Sequence, residues 1–241
     1  MANKARSSIG ILLFDWDGTL ADSAPLGLAA FRKTFAELAI PFSEQIYDAA
    51  YSPNWYSIYA ALGLPTERWQ QADDLWNKHY GMQTARLVAG AREIISELRR
   101  RGYRLGVVSS GNESRVLREI ENGGLAASFE VVVCYEHVIQ KKPNPEGLEV
   151  AMRELGCGAP ECGYVGDAPE DIEMGKRAGV LTIGVKSSYP SNVRLPAAQP
   201  DIYLESIREL LIHFPVCKQV WNSPETGELM SNRINSILRS T

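Results

Sequence analysis

The feature that most restricts the fold is a series of short, uninterrupted apolar runs: "IGILLF" (9–14), "RLGVVS" (104–109), "FEVVVC" (129–134), "CGYVG" (162–166), "VLTIGV" (180–185) and the weaker "DIYL" (201–204). Their polarity does not alternate along the chain. A strand with one wet face alternates; a strand covered on both faces does not. From residue 90 onward, helical patterns separate the runs: "GAREIISELRRRG" (90–102), "ESRVLREIENGG" (113–124), "PEGLEVAMRELG" (145–156) and "PEDIEMGKRAG" (169–179). All four of these end in glycine, the usual helix stop. Strand alternating with helix predicts an α/β fold with a parallel, doubly wound sheet.

The first run is set apart from this series. Residues 22–88 show no convincing strand, only helix-like segments such as "LGLAAFRKTFAELA" and "TERWQQADDLWNKHY", broken at Pro41, Pro53 and Pro65. The expected organisation is an α/β core of residues 1–21 and 89–214, with an all-helical cap of residues 22–88 inserted after the first strand. That insertion point lies over the C-terminal edge of the sheet, where ligands of such sheets bind. A tail of residues 215–241 lies outside the pattern and is expected to be partly helical. With 241 residues, 45% of them apolar, the chain can bury one full core plus such an insert.

The first run ends in "LLFDWDGTLADS" (12–23), which sets Asp15 and Asp17 two residues apart at a strand tip. In extended chain both side chains point the same way and repel unless a cation or a proton intervenes. Alone, the pair fits a solvated Asp-Gly turn, or the Asp-x-Asp metal site of a nucleotide-sugar transferase. Other run ends add company. "VVSSGN" carries Ser109, Ser110 and Gly111, small hydroxyls and free amides suited to an oxyanion. "KKPNP" sets Lys142 before a proline turn. "YVGDAPEDIEMG" sets Asp167 at a tip and Asp171 one helical turn later, a pairing that also suits a helix N-terminus.

Taken in order, "DWDGTL", "VVSS", "KP" and "GDAPED" resemble the four motifs of the haloacid dehalogenase superfamily, over about two-thirds of the chain, with a Rossmann-like core. The helical insert resembles the cap of its phosphoglycolate phosphatase and β-phosphoglucomutase branch. The resemblance implies a Mg²⁺-dependent phosphatase acting on a small phosphate monoester, of the phosphoglycolate or sugar-phosphate type. By the same resemblance Asp15 is the nucleophile that forms an aspartyl-phosphate, and Asp17 is the general acid and base, for which a raised pKa is expected. The resemblance further implies that Mg²⁺ is held by Asp15, the backbone carbonyl of Asp17 and Asp167, with Asp171 either on the ion or one contact behind it, and phosphate by Gly18, Thr19, Ser109, Ser110, Gly111 and Lys142. Asn54, Trp55 and Tyr56 are the cap candidates for substrate contact. The mutase branch carries an arginine in its cap loop, where "YSPNWYS" (51–57) has none; a silent binding protein on the same core is the other alternative.

Other classes are disfavoured. A net charge of −4 gives no basic footprint for nucleic acid. No apolar run approaches the roughly 18–20 residues of a membrane helix. Cys134, Cys157, Cys162 and Cys217 form no metal-ligand spacing. The expectation is a cytoplasmic monomer or homodimer whose partner is a small phosphorylated metabolite.

Overall fold

A computed structural model of the chain describes residues 9–218. In chain order, β1 (Ile11–Phe14) and a two-residue strand β2 (Ala21–Asp22) lead into four helices, α1 (Ala24–Glu37), α2 (Glu44–Ala50), α3 (Tyr56–Ala61) and α4 (Trp69–Tyr80). A second two-residue strand, β3 (Arg86–Leu87), returns the chain to α5 (Ala91–Arg100), β4 (Arg104–Val108), α6 (Glu113–Asn122) and β5 (Val131–Val133). Then follow α7 (Glu146–Leu155), β6 (Cys162–Gly166), α8 (Pro169–Ala178), β7 (Leu181–Val185), a 3₁₀ segment (Pro190–Ala198), β8 (Ile202–Leu204) and the short α9 (Leu210–His213).

The six long-run strands form one parallel sheet in the order β5-β4-β1-β6-β7-β8. Every residue of β1 is fully buried, because β4 and β6 flank it and helices cover both faces. On one face Leu12, Phe14, Leu105 and Val107 pack with Ile95 and Leu98 of α5 and Ile120 of α6. On the other, Ile11, Leu13, Val131 and Tyr164 pack with Leu148 and Leu155 of α7 and Met174 of α8. Each such side chain contributes roughly 1.5–3 kcal/mol by leaving water. That two-sided burial is the physical reason the runs do not alternate. Strand order reverses at β1, so the C-terminal tips of β1, β4 and β6 lie side by side.

The insert differs from expectation in one respect. Residues 22–88 are not purely helical at their ends: β2 and β3 pair antiparallel, Ala21 with Leu87 and Asp22 with Arg86, closing the insert at its neck. Two residues are too few for a period-2 pattern, so the ribbon left no readable trace in the sequence. The four helices enclose an apolar cluster of their own, in which Phe31, Phe35, Tyr47, Ile58, Tyr59 and Leu62 are buried.

The helices close over the sheet edge from two sides. Trp55 packs on Tyr135, ring centroids 4.9 Å apart, and the hydroxyls of Tyr56 and Tyr135 meet at 3.0 Å. On the opposite side Tyr51 packs on Tyr189 at 4.9 Å, and Arg194 donates to the Tyr51 carbonyl at 2.7 Å. Of the tail, Cys217 donates its backbone N–H to Arg101 at 2.7 Å, and 215–218 is not helical. The helix expected farther along falls on residues 219–241, outside the described residues. No helix among the described residues is long and apolar enough to cross a membrane.

Candidate active site

Strand tips and the turns after them position the charged groups. The Asp15 N–H still pairs with Val165 at 2.8 Å, so the aspartate leaves β1 at the end of the ladder. Trp16 turns into the core, fully buried, and leaves Asp15 and Asp17 facing the sheet edge. Gly18 follows at φ +86°, where a side chain would be strained and its Cβ would overlap the Asp167 carboxylate. A Cβ at Gly166 would likewise strike Asp171. The two glycines let β1 and α8 bring their carboxylates into contact range.

Lys142 links the acids. Its buried ammonium donates to Asp15 at 2.5 Å and to Asp171 at 2.8 Å. Asp171 also accepts from the Tyr164 hydroxyl at 3.2 Å and from the Ala168 N–H at 3.0 Å, so it caps α8 as well. Asp167 accepts from the Ser187 hydroxyl at 2.5 Å and, at 3.4 Å, from Thr19. Burial drives the Asp15 carboxyl up to about 7; Lys142 opposes the rise, and Asp171 and Asp17 add to it. Asp167 is pushed well above the carboxylate range by burial and then by Asp15 and Asp171. Burial disfavours the Lys142 charge, yet Asp15 and Asp171 together hold its pKa well above the usual lysine value.

Asp15, Asp167 and Asp171 are buried and each offers a carboxylate oxygen within 4.8 Å of the others. Among the described residues Lys142 is the one cation bonded to the cluster, on Asp15 and Asp171. The cluster sets three carboxylates, all oxygen donors, against the one ammonium of Lys142. A hard divalent cation such as Mg²⁺ suits that donor set. The residues therefore fit the metal that the sequence led us to expect.

Asp17 requires a correction. Its carboxyl pKa is lowered, not raised. Burial pushes it up, but the Arg115 guanidinium outweighs that, gripping both carboxylate oxygens at 2.9 and 2.6 Å, with the Ser23 hydroxyl donating at 2.5 Å. Arg115 comes from α6 and is itself buried, and its Nη1, already on Asp17, also donates to Glu119 at 3.2 Å. Glu119 in turn accepts from Trp16 at 2.7 Å and from the Tyr80 hydroxyl at 2.7 Å. This chain of contacts ties the tip of β1 to the last residue of the cap helices.

The remaining expected residues scatter. Ser110 and Gly111 line the cavity beside the acids, whereas the Ser109 hydroxyl turns inward and accepts from the Gly111 N–H at 2.9 Å. The cavity has a volume of about 370 Å³ and runs from Asp15, Asp17 and Asp167 up into the helical insert. Of the three cap candidates Trp55 lines it; Asn54 and Tyr56 do not. The Tyr56 hydroxyl donates to Asp73 at 3.1 Å, and its ring stacks on Trp69.

A family model for haloacid dehalogenase-like hydrolases matches residues 12–185, from the first strand through the last long one. The chain belongs to the haloacid dehalogenase-like hydrolase family. It is 30% identical to the pyrophosphatase PpaX of Bacillus velezensis over 204 residues, covering 83% of this chain and 94% of that one. Its fold is that of a predicted phosphoglycolate phosphatase from Haemophilus somnus, with TM-score 0.76, 20% identity and coverage of 85% and 97%. A mutant of CbbY from Rhodobacter sphaeroides, in complex with xylulose-(1,5)bisphosphate, superposes with TM-score 0.70, 22% identity and coverage of 86% and 99%.

Within this haloacid dehalogenase-like core, sequence reasoning missed Arg115, Glu119, Ser23, Ser187 and Tyr189. Arg115 and Glu119 did leave a signal, an i,i+4 opposite-charge pair flanked by Val116 and Ile120. On a helix that pattern reads as a surface ion pair, and α6 turns it inward. Ser23, Ser187 and Tyr189 left none; they join the site through loops.

Proposed function

We propose that the protein is a Mg²⁺-dependent phosphatase that hydrolyses a phosphate monoester through an aspartyl-phosphate on Asp15. The observation that carries this reading is the convergence of Asp15, Lys142, Asp167 and Asp171 at one sheet edge, opening into a closed-over cavity. In the first half, an Asp15 oxygen attacks phosphorus and the alcohol oxygen departs. Lys142 and the Ser110 and Gly111 loop offset the charge spreading over the phosphoryl oxygens. In the second half, water attacks the phosphorus of the aspartyl-phosphate, and Asp15 is released with inorganic phosphate.

Asp17 serves both halves. Held by Arg115 it is a carboxylate, the form that takes a proton from the attacking water. An arriving phosphate dianion raises its proton affinity by like-charge repulsion, which suits donation to the leaving oxygen. Asp15, Asp167, Asp171 and the backbone carbonyl of Asp17 would hold Mg²⁺; the Asp17 carboxylate is committed to Arg115 and Ser23. The chemistry supplied by the bound ion is charge neutralisation between an anionic carboxylate and an anionic phosphoryl group. Transfer to water rather than to a second sugar is supported by the insert, which sets no arginine along the cavity wall among the described residues.

The test is phosphate release from a nitrophenyl phosphate. Turnover is expected to vanish in excess chelator and return with Mg²⁺. Undiminished turnover in chelator, with no metal detected by elemental analysis, would overturn the metal assignment.

A further inference from the structure

The cavity has two chemically different ends. At the sheet edge lie the acids of the reaction and Arg115. Toward the insert the wall is built from the rings of Phe31, Trp55, Tyr59 and Trp76, with Tyr135 rising from the core side. Three more carboxylates, those of Asp73, Asp74 and Glu136, join this end. Arg115 is the one cationic side chain along the whole cavity among the described residues, and Asp17 and Glu119 already occupy it.

Asp73 is the telling group. It is partly buried and accepts from the Trp55 indole N–H at 2.7 Å, the Tyr59 hydroxyl at 2.9 Å and the Tyr56 hydroxyl at 3.1 Å. All three donors are neutral, and no lysine or arginine among the described residues pairs with it. Burial holds its carboxyl above the usual range in spite of those donors. This carboxylate is kept in place by neutral aromatic donors, at a cavity end lined by aromatic rings, and no cation among the described residues answers it. Ring faces attract a diffuse cation with an apolar surface, whereas a primary ammonium needs hydrogen-bond acceptors that Asp73 has largely committed. A second anionic group, such as a carboxylate or a further phosphate, would meet like charge and no cation.

We infer that the leaving group this enzyme is built for is cationic: an alkylated amino alcohol whose ammonium lies among Trp55, Tyr59, Trp76 and Asp73. The inference rests on the phosphatase reading, and it narrows the expected phosphoglycolate and sugar-phosphate themes. It also separates this chain from the CbbY complex, whose bound molecule is a bisphosphate. The reaction balances as ordinary hydrolysis. The P–O bond to the amino alcohol breaks, water supplies the oxygen of inorganic phosphate, and the alcohol leaves with a proton.

The experiment compares three esters with the full-length enzyme and Mg²⁺: phosphocholine, its carbon isostere with a tert-butyl group in place of trimethylammonium, and phosphoglycolate. A nitrophenyl phosphate is the reference. The expected kcat/KM for phosphocholine exceeds that for the isostere by about tenfold or more, and that for phosphoglycolate by about a hundredfold. In Asp73→Asn the ratio of phosphocholine to isostere is expected to fall about tenfold. Binding is read separately, without metal, by tryptophan fluorescence with choline and with its neutral isostere; tighter binding of choline supports the inference. Hydrolysis of the reference with no preference for phosphocholine, or with phosphoglycolate preferred, overturns it. Failure to hydrolyse the reference, with choline still bound, overturns instead the phosphatase reading. Equal binding of choline and isostere counts against the cage whatever the turnover.

Discussion

The sheet edge and the helical insert line the same cavity, and they handle charge in opposite ways. At the edge most buried charges are answered by another: Lys142 lies between Asp15 and Asp171, and Arg115 between Asp17 and Glu119. In the insert, Asp73 is answered only by two phenols and an indole. The edge is already polarised for moving a phosphoryl group, and its excess of carboxylates suits a metal. Among the described residues the insert places no lysine or arginine along the cavity to meet an anion. On the proposed reading, the difference teaches that the two regions divide the reaction: the core handles the phosphate, and the insert selects what the phosphate is attached to.

Breaking the core half should have the largest effect. Asp15→Asn is expected to lower turnover by about 10⁴-fold or more, since an amide forms no acyl phosphate. Choline binding in the insert should survive. Asp17→Asn is expected to lose about 10²- to 10⁴-fold on an alkyl phosphate and less on a nitrophenyl phosphate, whose leaving group needs little protonation. Rapid-quench kinetics of the two variants on both substrates makes the comparison. Equal losses for both leaving groups in Asp17→Asn, with no trapped intermediate, would mean that Asp17 serves only the structure of the site.

The joint between the regions comes next. Arg115→Met leaves the partly buried Asp17 and the buried Glu119 without their guanidinium, beside Tyr80 at the end of α4. Uncompensated buried charge costs about 3–5 kcal/mol. Urea unfolding should show a loss of that size; a loss under about 1 kcal/mol would show that Arg115 is not what holds the two acids.

The smallest effect is expected at the closure itself. Tyr56→Phe removes the hydroxyl that reaches Asp73 and Tyr135 but keeps the ring on Trp69. The loss of about 0.5–1.5 kcal/mol should appear as a KM raised about 2- to 10-fold with kcat unchanged. A fall in kcat instead would place Tyr56 in the chemistry and erase the division between the regions.

The sequence by itself determined the architecture and which acids, with Lys142, gather at the sheet edge. Continuous apolar runs announce strands covered on both faces, and Asp15, Ser110, Lys142 and Asp167 follow such runs or the turns after them. Run, turn and cap are short-range features, decided within a few residues. Partnership across the fold is not. Arg115 meets Asp17 across 98 residues, and Lys142 meets Asp15 across 127, because β1 lies at the centre of the sheet. That placement turns a helix ion pair inward and reverses the expected shift of Asp17. The aromatic wall was equally hidden. Phe31, Trp55, Tyr59 and Trp76 read as the apolar faces of ordinary helices, and only the packing of α1, α3 and α4 sets them at the margin of the insert's apolar cluster, where they also line the cavity. Local sequence decides which side chains an element can present; the tertiary structure decides which of them meet, and therefore which charges are left unanswered.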